Sequence, residues 1–311
     1  KATSVIDALR LAAACAGVQE ACGAAVSKVL PATTGGWQVT FTDGSSTRAD
    51  SSSTCANDRF ISADSPAKAF DAVVLACGGN VAPALLPKDV AFCSTTPLLG
   101  PLATNTEPLR GLDKVRAKCA LSGKDHREVG EVTFRAYGLS GIAAFNMTRF
   151  VQPGDALQVD FLPDFEKGSL AFLLERMDVM RSATWLDFTC GMLLPLVARA
   201  VLRAAGLRPD DCPNESDMAA FNNALRAFPL EVRGIGDRKL CQVRRGGVDV
   251  ASVDPATMQL HGHAGLHVAG EMLDVDGPCG GYNLHWAWVS GILAGQAAAR
   301  ATDAGKDGTR S

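Results

Sequence analysis

The residues best placed to do chemistry lie near the end of the chain, between Gly265 and Gly291. Leu266 to Ala269 is a short apolar run that predicts a buried strand. A polar loop follows with Gly270, Glu271, Asp274 and Asp276, and after it come Gly277, Gly280 and Gly281. Glycine has no side chain, so the backbone there can turn sharply and approach a ligand closely. Asn283, just after Tyr282, is a good N-cap for an apolar helix expected from about Leu284 to about Thr302. The first N–H groups of a helix are unpaired and carry the positive end of its dipole, which favours an electron-rich acceptor. A phosphate, a carboxylate or the carbonyl edge of a flavin would each serve. Glu271 and Asp274 would repel bare phosphate and suit hydroxyls, such as those of a ribityl chain. The plain alternative is a helix start with a glycine turn and solvated acids. Two acids and three glycines between a buried strand and a hydrophobic helix favour the ligand site.

Other groups are weaker candidates. Arg244 and Arg245 precede Gly246-Gly247; they could stabilise a reduced anionic ring, bind an acidic substrate, or simply face solvent. Cys77-Gly78-Gly79 ends an apolar run, and ligands in nucleotide-binding α/β folds gather at the carboxyl ends of strands. The two glycines fit a plain strand-ending turn equally well. Cys77 has no evident activating neighbour, so a small buried residue is expected. His261, His263 and His267 lie close together, but no acid or cysteine completes a zinc ligand set, and no metal is expected. No residue earns a catalytic acid or base assignment.

These groups must be positioned by the elements around them. Ser4 to Ala16 has helical spacing, with Val5, Ala8, Leu9 and Ala12 on one face and Gly17 as C-cap. Ala24 to Leu30 predicts a strand in which Val26 is read as a core valine. Trp37, Val39 and Phe41 alternate with polar residues and end at a hairpin signal, Asp43-Gly44. Asp71 to Ala76 is almost wholly apolar, as when helices cover both faces of a parallel sheet. Four short strands follow, Pro97–Leu102, Val115–Leu121, Glu131–Tyr137 and Ala156–Leu162, and suggest a small antiparallel barrel or sandwich. Gly138 to Gly141 interrupts them, and Ile142 to Phe150 suggests a short helix. Glu166 to Phe228 is helical in pattern. Leu170, Leu173, Leu174 and Met177 form one stripe. A helix from Pro195 to Gly206 buries Leu196, Val197, Ala200, Val201 and Ala204, and Asn214 to Asp217 caps a third helix over Met218–Ala227. Leu230 to Val248 returns as strands.

The segment from Ala269 to Ala287, with Asp71–Gly79, Gly130–Gly141 and Cys241–Val248 in the same order, resembles the aminoacetone-oxidase-like flavoproteins, a family with bile-acid-inducible 3-dehydro-bile-acid-reductase-like members. The resemblance covers nearly the whole chain and implies an FAD-dependent oxidoreductase of α/β class. It implies a doubly wound FAD-binding domain assembled from both chain ends (1–91 and 249–311). A β-rich, barrel-like domain (92–165 and 229–248) and a helical domain (166–228) are inserted. It implies that Val26 passes the adenine, that Cys77, Gly78 and Gly79 help close that pocket, and that Gly246 and Gly247 lie beside the flavin. Gly270, Glu271, Asp274, Gly277, Gly280, Gly281, Tyr282, Asn283 and Leu284 would hold the ribityl and pyrimidine end. Arg135, Tyr137 and Ser140 could then line a substrate pocket, although exposed hairpin polars are favoured. The implied activity is reduction of an unsaturated or keto small molecule with electrons from NAD(P)H. Oxidation of an amine by oxygen, or a non-catalytic remnant of the scaffold, are the alternatives. Such flavoproteins open with a Gly-x-Gly-x-x-Gly turn for the pyrophosphate. None occurs here, and the chain begins at Lys1, so that turn is expected to lie outside these residues, leaving the domain incomplete.

Composition sets outer bounds. The 311 residues carry a net charge of −3, which provides no broad basic surface for nucleic acid. No apolar run approaches the ~20 residues of a membrane span. Ten scattered cysteines with no Cys-x-x-Cys pair suit reduced thiols in a cytoplasmic protein. Oligomerisation to cover a sheet edge is a further expectation.

Overall fold

The computed structural model describes residues 2–42, 67–80, 83–165 and 168–307. The Asp43-Gly44 turn signal lies outside them. Helix α1 (Ala2–Cys15) ends on Gly17, whose φ of +79° suits glycine, and the Val18 N–H donates back to the Ala13 carbonyl at 3.0 Å. The apolar face read from its spacing is not buried: Val5, Ala8, Leu9 and Ala12 are all exposed. Strands β1 (Ala25–Pro31), β2 (Trp37–Thr42) and β3 (Ala67–Phe70) form an antiparallel sheet in that order. Trp37 and Val39 point into the protein, and the Trp37 indole donates to the Ala264 carbonyl at 2.9 Å. Val26 on β1 is 38% exposed, which corrects its reading as a core residue; it lies beyond a β-bulge, opposite Phe41, near the end of the β1–β2 ladder away from Trp37.

Strand β4 (Val73–Leu75) is followed by β5 (Phe92–Leu98), β6 (Leu102–Thr104), β7 (Arg116–Gly123), β8 (His126–Arg135), β9 (Gly138–Ser140), helix α2 (Ile142–Met147) and β10 (Ala156–Asp160). Helices α3 (Ser169–Val179), α4 (Trp185–Thr189), α5 (Pro195–Ala204) and α6 (Glu215–Arg226) come next, then β11 (Phe228–Ile235), β12 (Val243–Val248), β13 (Leu266–Val268) and α7 (Tyr282–Asp307). Six strands close into an antiparallel barrel in the order β10-β11-β6-β9-β8-β7. Closure leaves no free edge within the barrel, so its ladder hydrogen bonds are self-satisfied. Gly138–Ser140, expected to interrupt the strands, forms β9 instead, bridging β6 and β8. A Cβ at Gly138 would collide with the Leu102 carbonyl, and its φ of +145° requires glycine.

The barrel interior and the four middle helices share one core. Leu121, Phe134 and Leu157 from the strands join Leu173, Trp185, Phe188 and Phe221 from the helices, and the Trp185 and Phe221 rings lie 4.8 Å apart. Asn214 caps α6 through the Asp217 N–H at 3.0 Å, and Pro195 opens α5. The buried face of α5 is Val197, Ala198, Ala200, Val201 and Leu202; Leu196 and Ala204, which fit that face by spacing, are exposed. Helix α4 carries no periodic signal. A capping box between Thr184 and Asp187 starts its five residues, too few to show a stripe.

A second core shares no residue with the first. Val29, Trp37 and Val39 meet Leu75, Val248, Leu260, Leu266, Val268 and Met272 there, with Ala294 of α7 against them. Strands β4 and β13 run parallel, Val73 opposite Leu266 and Leu75 opposite Val268. All of β13 is buried, as its apolar run predicts. Strand β4 departs from expectation: Leu75 is buried, but Val74 is 37% exposed, because β4 is paired on one side only among the described residues. No helix among the described residues is long and apolar enough to cross a membrane.

Candidate functional site

Parallel pairing of β4 and β13 brings their carboxyl ends side by side, so the turn Cys77-Gly78-Gly79 meets the turn Gly270–Met272. Glu271 joins them. One of its carboxylate oxygens accepts the Gly79 N–H at 3.2 Å, and the other accepts the Arg244 N–H at 2.6 Å. Gly79 is required by this approach: a Cβ there would sit 2.8 Å from the Glu271 carboxylate and 2.9 Å from Arg244 Cβ. Asp274 accepts the Gly246 N–H at 2.9 Å, and β12 thereby closes the same corner. Gly246 and Gly247 both have positive φ (+95° and +129°), and Cβ atoms there would strike the Ser94 and Met272 carbonyls. The two acids thus hold three backbone N–H groups from two separate segments, the turn after β4 and strand β12, and each carboxylate keeps lone pairs for a further donor.

The start of α7 is built differently from the expectation. Helical structure begins at Tyr282, and Asn283 lies inside the first turn rather than capping it. Its amide clamps Gly277, accepting the Gly277 N–H at 2.8 Å and donating to the Gly277 carbonyl at 3.0 Å. Asn283 therefore fixes the loop, and the N–H groups of Tyr282, Asn283 and Leu284 have no acceptor within the helix. Beside them is a cavity of about 350 Å³ lined by Glu271, Gly280, Gly281, Asn283, Leu284 and Trp286, among others. A Cβ on Gly281 would meet no atom within 4 Å. The floor is rigid: the Gly270 N–H donates to Ser290 Oγ at 2.9 Å, and the Trp286 indole donates to the Gly270 carbonyl at 3.2 Å.

Asp276 contributes in a way that spacing does not reveal. Its carboxylate accepts from Arg149 at 2.8 Å and from Arg245 at 2.9 and 3.1 Å, and Arg149 also bonds the Asp276 carbonyl at 3.0 Å. Burial pushes this carboxyl up, but the hydrogen bonds from Arg245 and Arg149 outweigh it and hold it below the ordinary value. Arg245 is held above its own ordinary value by the same bond. Asn146 at the end of α2 adds a second tie, accepting the Cys279 N–H at 2.8 Å. The loop that frames the cavity is thus pinned to the barrel side by two residues, Asn146 and Arg149, more than a hundred positions away. Of the two arginines in the sequence pair, neither is free in solvent: Arg244 bonds Thr95 Oγ1 and the Thr95 carbonyl, both at 3.3 Å.

Glu271, Gly280, Gly281, Asn283 and Leu284 come together around the cavity, with Gly78, Gly79, Gly246, Gly247, Gly270, Asp274 and Gly277 in the surrounding turns. Tyr282 is exposed, its ring near Gly280. Cys77 is exposed rather than buried, because it sits in the open turn beyond β4. Val26 lies on β1, paired with Phe41 of β2, and does not line the cavity. Gln242, Val243 and Cys279 do line it; burial pushes the Cys279 thiol up, so it is protonated at neutral pH. The three histidines go separate ways. His263 pairs with Asp89 at 3.1 Å, His267 is buried with Nδ1 2.9 Å from the Thr257 carbonyl, and His261 lies in the turn before β13.

Comparison with known proteins accords with this layout. The sequence profile described as "HI0933-like protein Rossmann domain" matches residues 1–297. A 3-dehydro-bile acid delta(4,6)-reductase from Clostridium scindens is 31% identical over 264 residues, which cover 77% of this chain and 64% of that protein. A ribosomal RNA dihydrouridine synthase from Escherichia coli is 30% identical over 199 residues, 63% of this chain and 48% of that one. Its counterpart from Haemophilus influenzae is 26% identical over 177 residues, 55% and 42% respectively. The chain therefore spans less than two thirds of the length of each of these relatives.

Proposed function

The chain belongs to the HI0933-like Rossmann-domain family, and from that premise we propose that it serves an FAD-dependent oxidoreductase that saturates a carbon–carbon double bond, or reduces a ketone, in a small molecule. NAD(P)H would supply the electrons. The single observation that carries this reading is the open cavity at the start of α7, with Glu271 on one wall and Gly280 and Gly281 on another. These residues fit a flavin: unpaired N–H groups meet an electron-rich ring edge, and a glycine with open space before it admits a flat ring. Two relatives with different substrates, one a bile-acid derivative and one an RNA base, share in their names the addition of hydrogen to an unsaturated substrate. The net charge of −3 favours the small molecule over RNA here.

The division of labour follows from the chemistry. FAD, when bound, supplies the two-electron transfer; the chain binds it, orients it and shapes its electrostatics. Gly280, Gly281, Asn283 and Leu284 would meet the pyrimidine end, where negative charge develops on reduction. Glu271 and Asp274 would accept ribityl hydroxyls through lone pairs left over from their backbone bonds. Gly277 and Tyr282 would frame that end, and Gly246, Gly247 and Gly270 would shape the turns beside it. Val26 and the Cys77-Gly78-Gly79 turn would lie toward the adenine. We assign residues 1–91 with 249–311 to the nucleotide-binding unit, 92–165 with 229–248 to the β-rich unit and 166–228 to the helical one.

The test is titration of the purified chain with FAD, followed by flavin fluorescence. Saturable quenching is expected, with loss of binding in Gly281→Val, where φ of +95° also strains any side chain, and weaker binding in Glu271→Ala. A chain whose presence leaves flavin fluorescence unchanged would overturn the reading and favour a non-catalytic scaffold. Reduction of the bound flavin by NAD(P)H under nitrogen separates a reductase from an amine oxidase, which would need an amine donor instead.

A further inference from the structure

A larger cavity, of about 730 Å³, lies on the other side of β12 and shares no lining residue with the one above. It sits where β5 and β12 meet β6, β11 and the segment after α2. Its walls divide by chemistry. Pro97, Leu98, Leu102, Val151, Val232 and Ile235 give an apolar floor, and of these Leu98, Leu102, Val151 and Val232 are buried side chains. Five cations, Arg233, Arg238, Lys239, Arg244 and Arg245, stand around it, and no carboxylate lines it.

Ion pairs account for only part of this charge. Arg233 is matched by Glu231 at 2.9 Å and Arg245 by Asp276. Among the described residues, the Arg244 guanidinium bonds the neutral oxygens of Thr95 and makes no ion pair. Arg238 and Lys239 make no ion pair with a described residue; the Asp237 carboxylate beside them is engaged with the Lys239 N–H at 2.9 Å. Like charges gathered at one mouth repel one another, and an anion relieves that repulsion. The volume falls in the range of sites for small organic ligands, about 300–1,000 Å³.

We propose that this cavity binds an apolar organic anion, its hydrocarbon part on the Leu98–Leu102–Val232 floor and its carboxylate or phosphate between Arg238, Lys239 and Arg244. The proposal stands apart from the flavin reading, since it uses a different cavity.

Calorimetric titration of the chain with decanoate, decyl phosphate, 1-decanol and inorganic phosphate tests it. Decanoate or decyl phosphate should bind saturably at one site, the tighter of the two naming the head group. Decanol should bind at least about tenfold more weakly, the worth of a charge-assisted hydrogen bond. Arg238→Ala with Lys239→Ala should weaken the anion by about tenfold or more; both residues are exposed on a surface turn, so the fold survives. Arg233→Ala should change little, because Glu231 already holds that cation. Decanol binding as tightly as decanoate, inorganic phosphate displacing decanoate, or affinity unmoved in the double variant would each overturn the proposal. Loss of decanoate binding in Gly281→Val would place the ligand in the other cavity and overturn it as well.

Discussion

The barrel with its helices and the α/β region solve the same problem in opposite ways. In the barrel, six strands close on themselves and the helices pack into one core, so Phe134, Leu157 and Phe221 are fully buried. In the α/β region the parallel sheet has two described strands, and Val74, Leu284, Trp288 and Ile292 stay exposed. The interior of this small barrel is filled by its own side chains. The α/β region keeps its strand ends, glycine turns and helix start accessible, and it is there and along the seam that both cavities lie. The seam itself is held by charge: Asp276 of the loop before α7 is gripped by Arg149 from the barrel side and Arg245 from β12.

That contrast can be broken by mutation. Phe134→Ala in the barrel should cost about 3–5 kcal/mol in urea unfolding, the usual result of emptying a large core position; a loss below ~1 kcal/mol would mean the barrel lacks a tight core. At the seam, Asp276→Asn should cost about 2 kcal/mol, less than a fully buried pair because Arg245 is partly exposed. The pH sign follows from the lowered carboxyl. The contribution of Asp276 is complete above the ordinary carboxylate value, about 3.9, and is lost as pH falls through its lower folded value. Wild type and Asp276→Asn should therefore converge in stability on acidification, and a gap that stays constant into strong acid would remove the seam from the comparison. On the barrel side, Asn214→Ala should cost about 1 kcal/mol through loss of the α6 cap. Smallest of all, Val74→Ala on the partly exposed face of β4 should change stability by no more than ~0.5 kcal/mol. A cost above ~1 kcal/mol there, read from the same unfolding midpoints, would reveal that something covers that face in solution.

Much of the framework is legible in the chain because its signals are local. Short segments set apart by Gly, Pro and charged residues mark the barrel strands, Asn214 marks the start of α6, and Gly206 marks the end of α5. The strand–glycine–helix order identifies Gly270 to Leu284 as one corner. The misreadings have equally definite causes. Leu196 and Val5 fit an apolar stripe, but a stripe says nothing of whether another element packs on it. Asn283 is a good cap by type, and its side chain is taken instead by a glycine turn six residues earlier. Cys77 and Val26 look like core residues by type, but one sits in the turn beyond β4 and the other past a bulge near the end of the β1–β2 ladder, and both are exposed.

By itself the amino-acid order determined which residues could turn, cap and alternate, since those properties depend on φ, ψ and neighbours within one or two turns. Tertiary structure alone decided who meets whom. Glu271 reaches Gly79 across 192 positions, and Arg149 reaches Asp276 across 127. Nothing in either segment encodes such a pairing singly, because a carboxylate finds its donors only after closure of the barrel and pairing of the parallel strands have brought distant backbone into hydrogen-bond range.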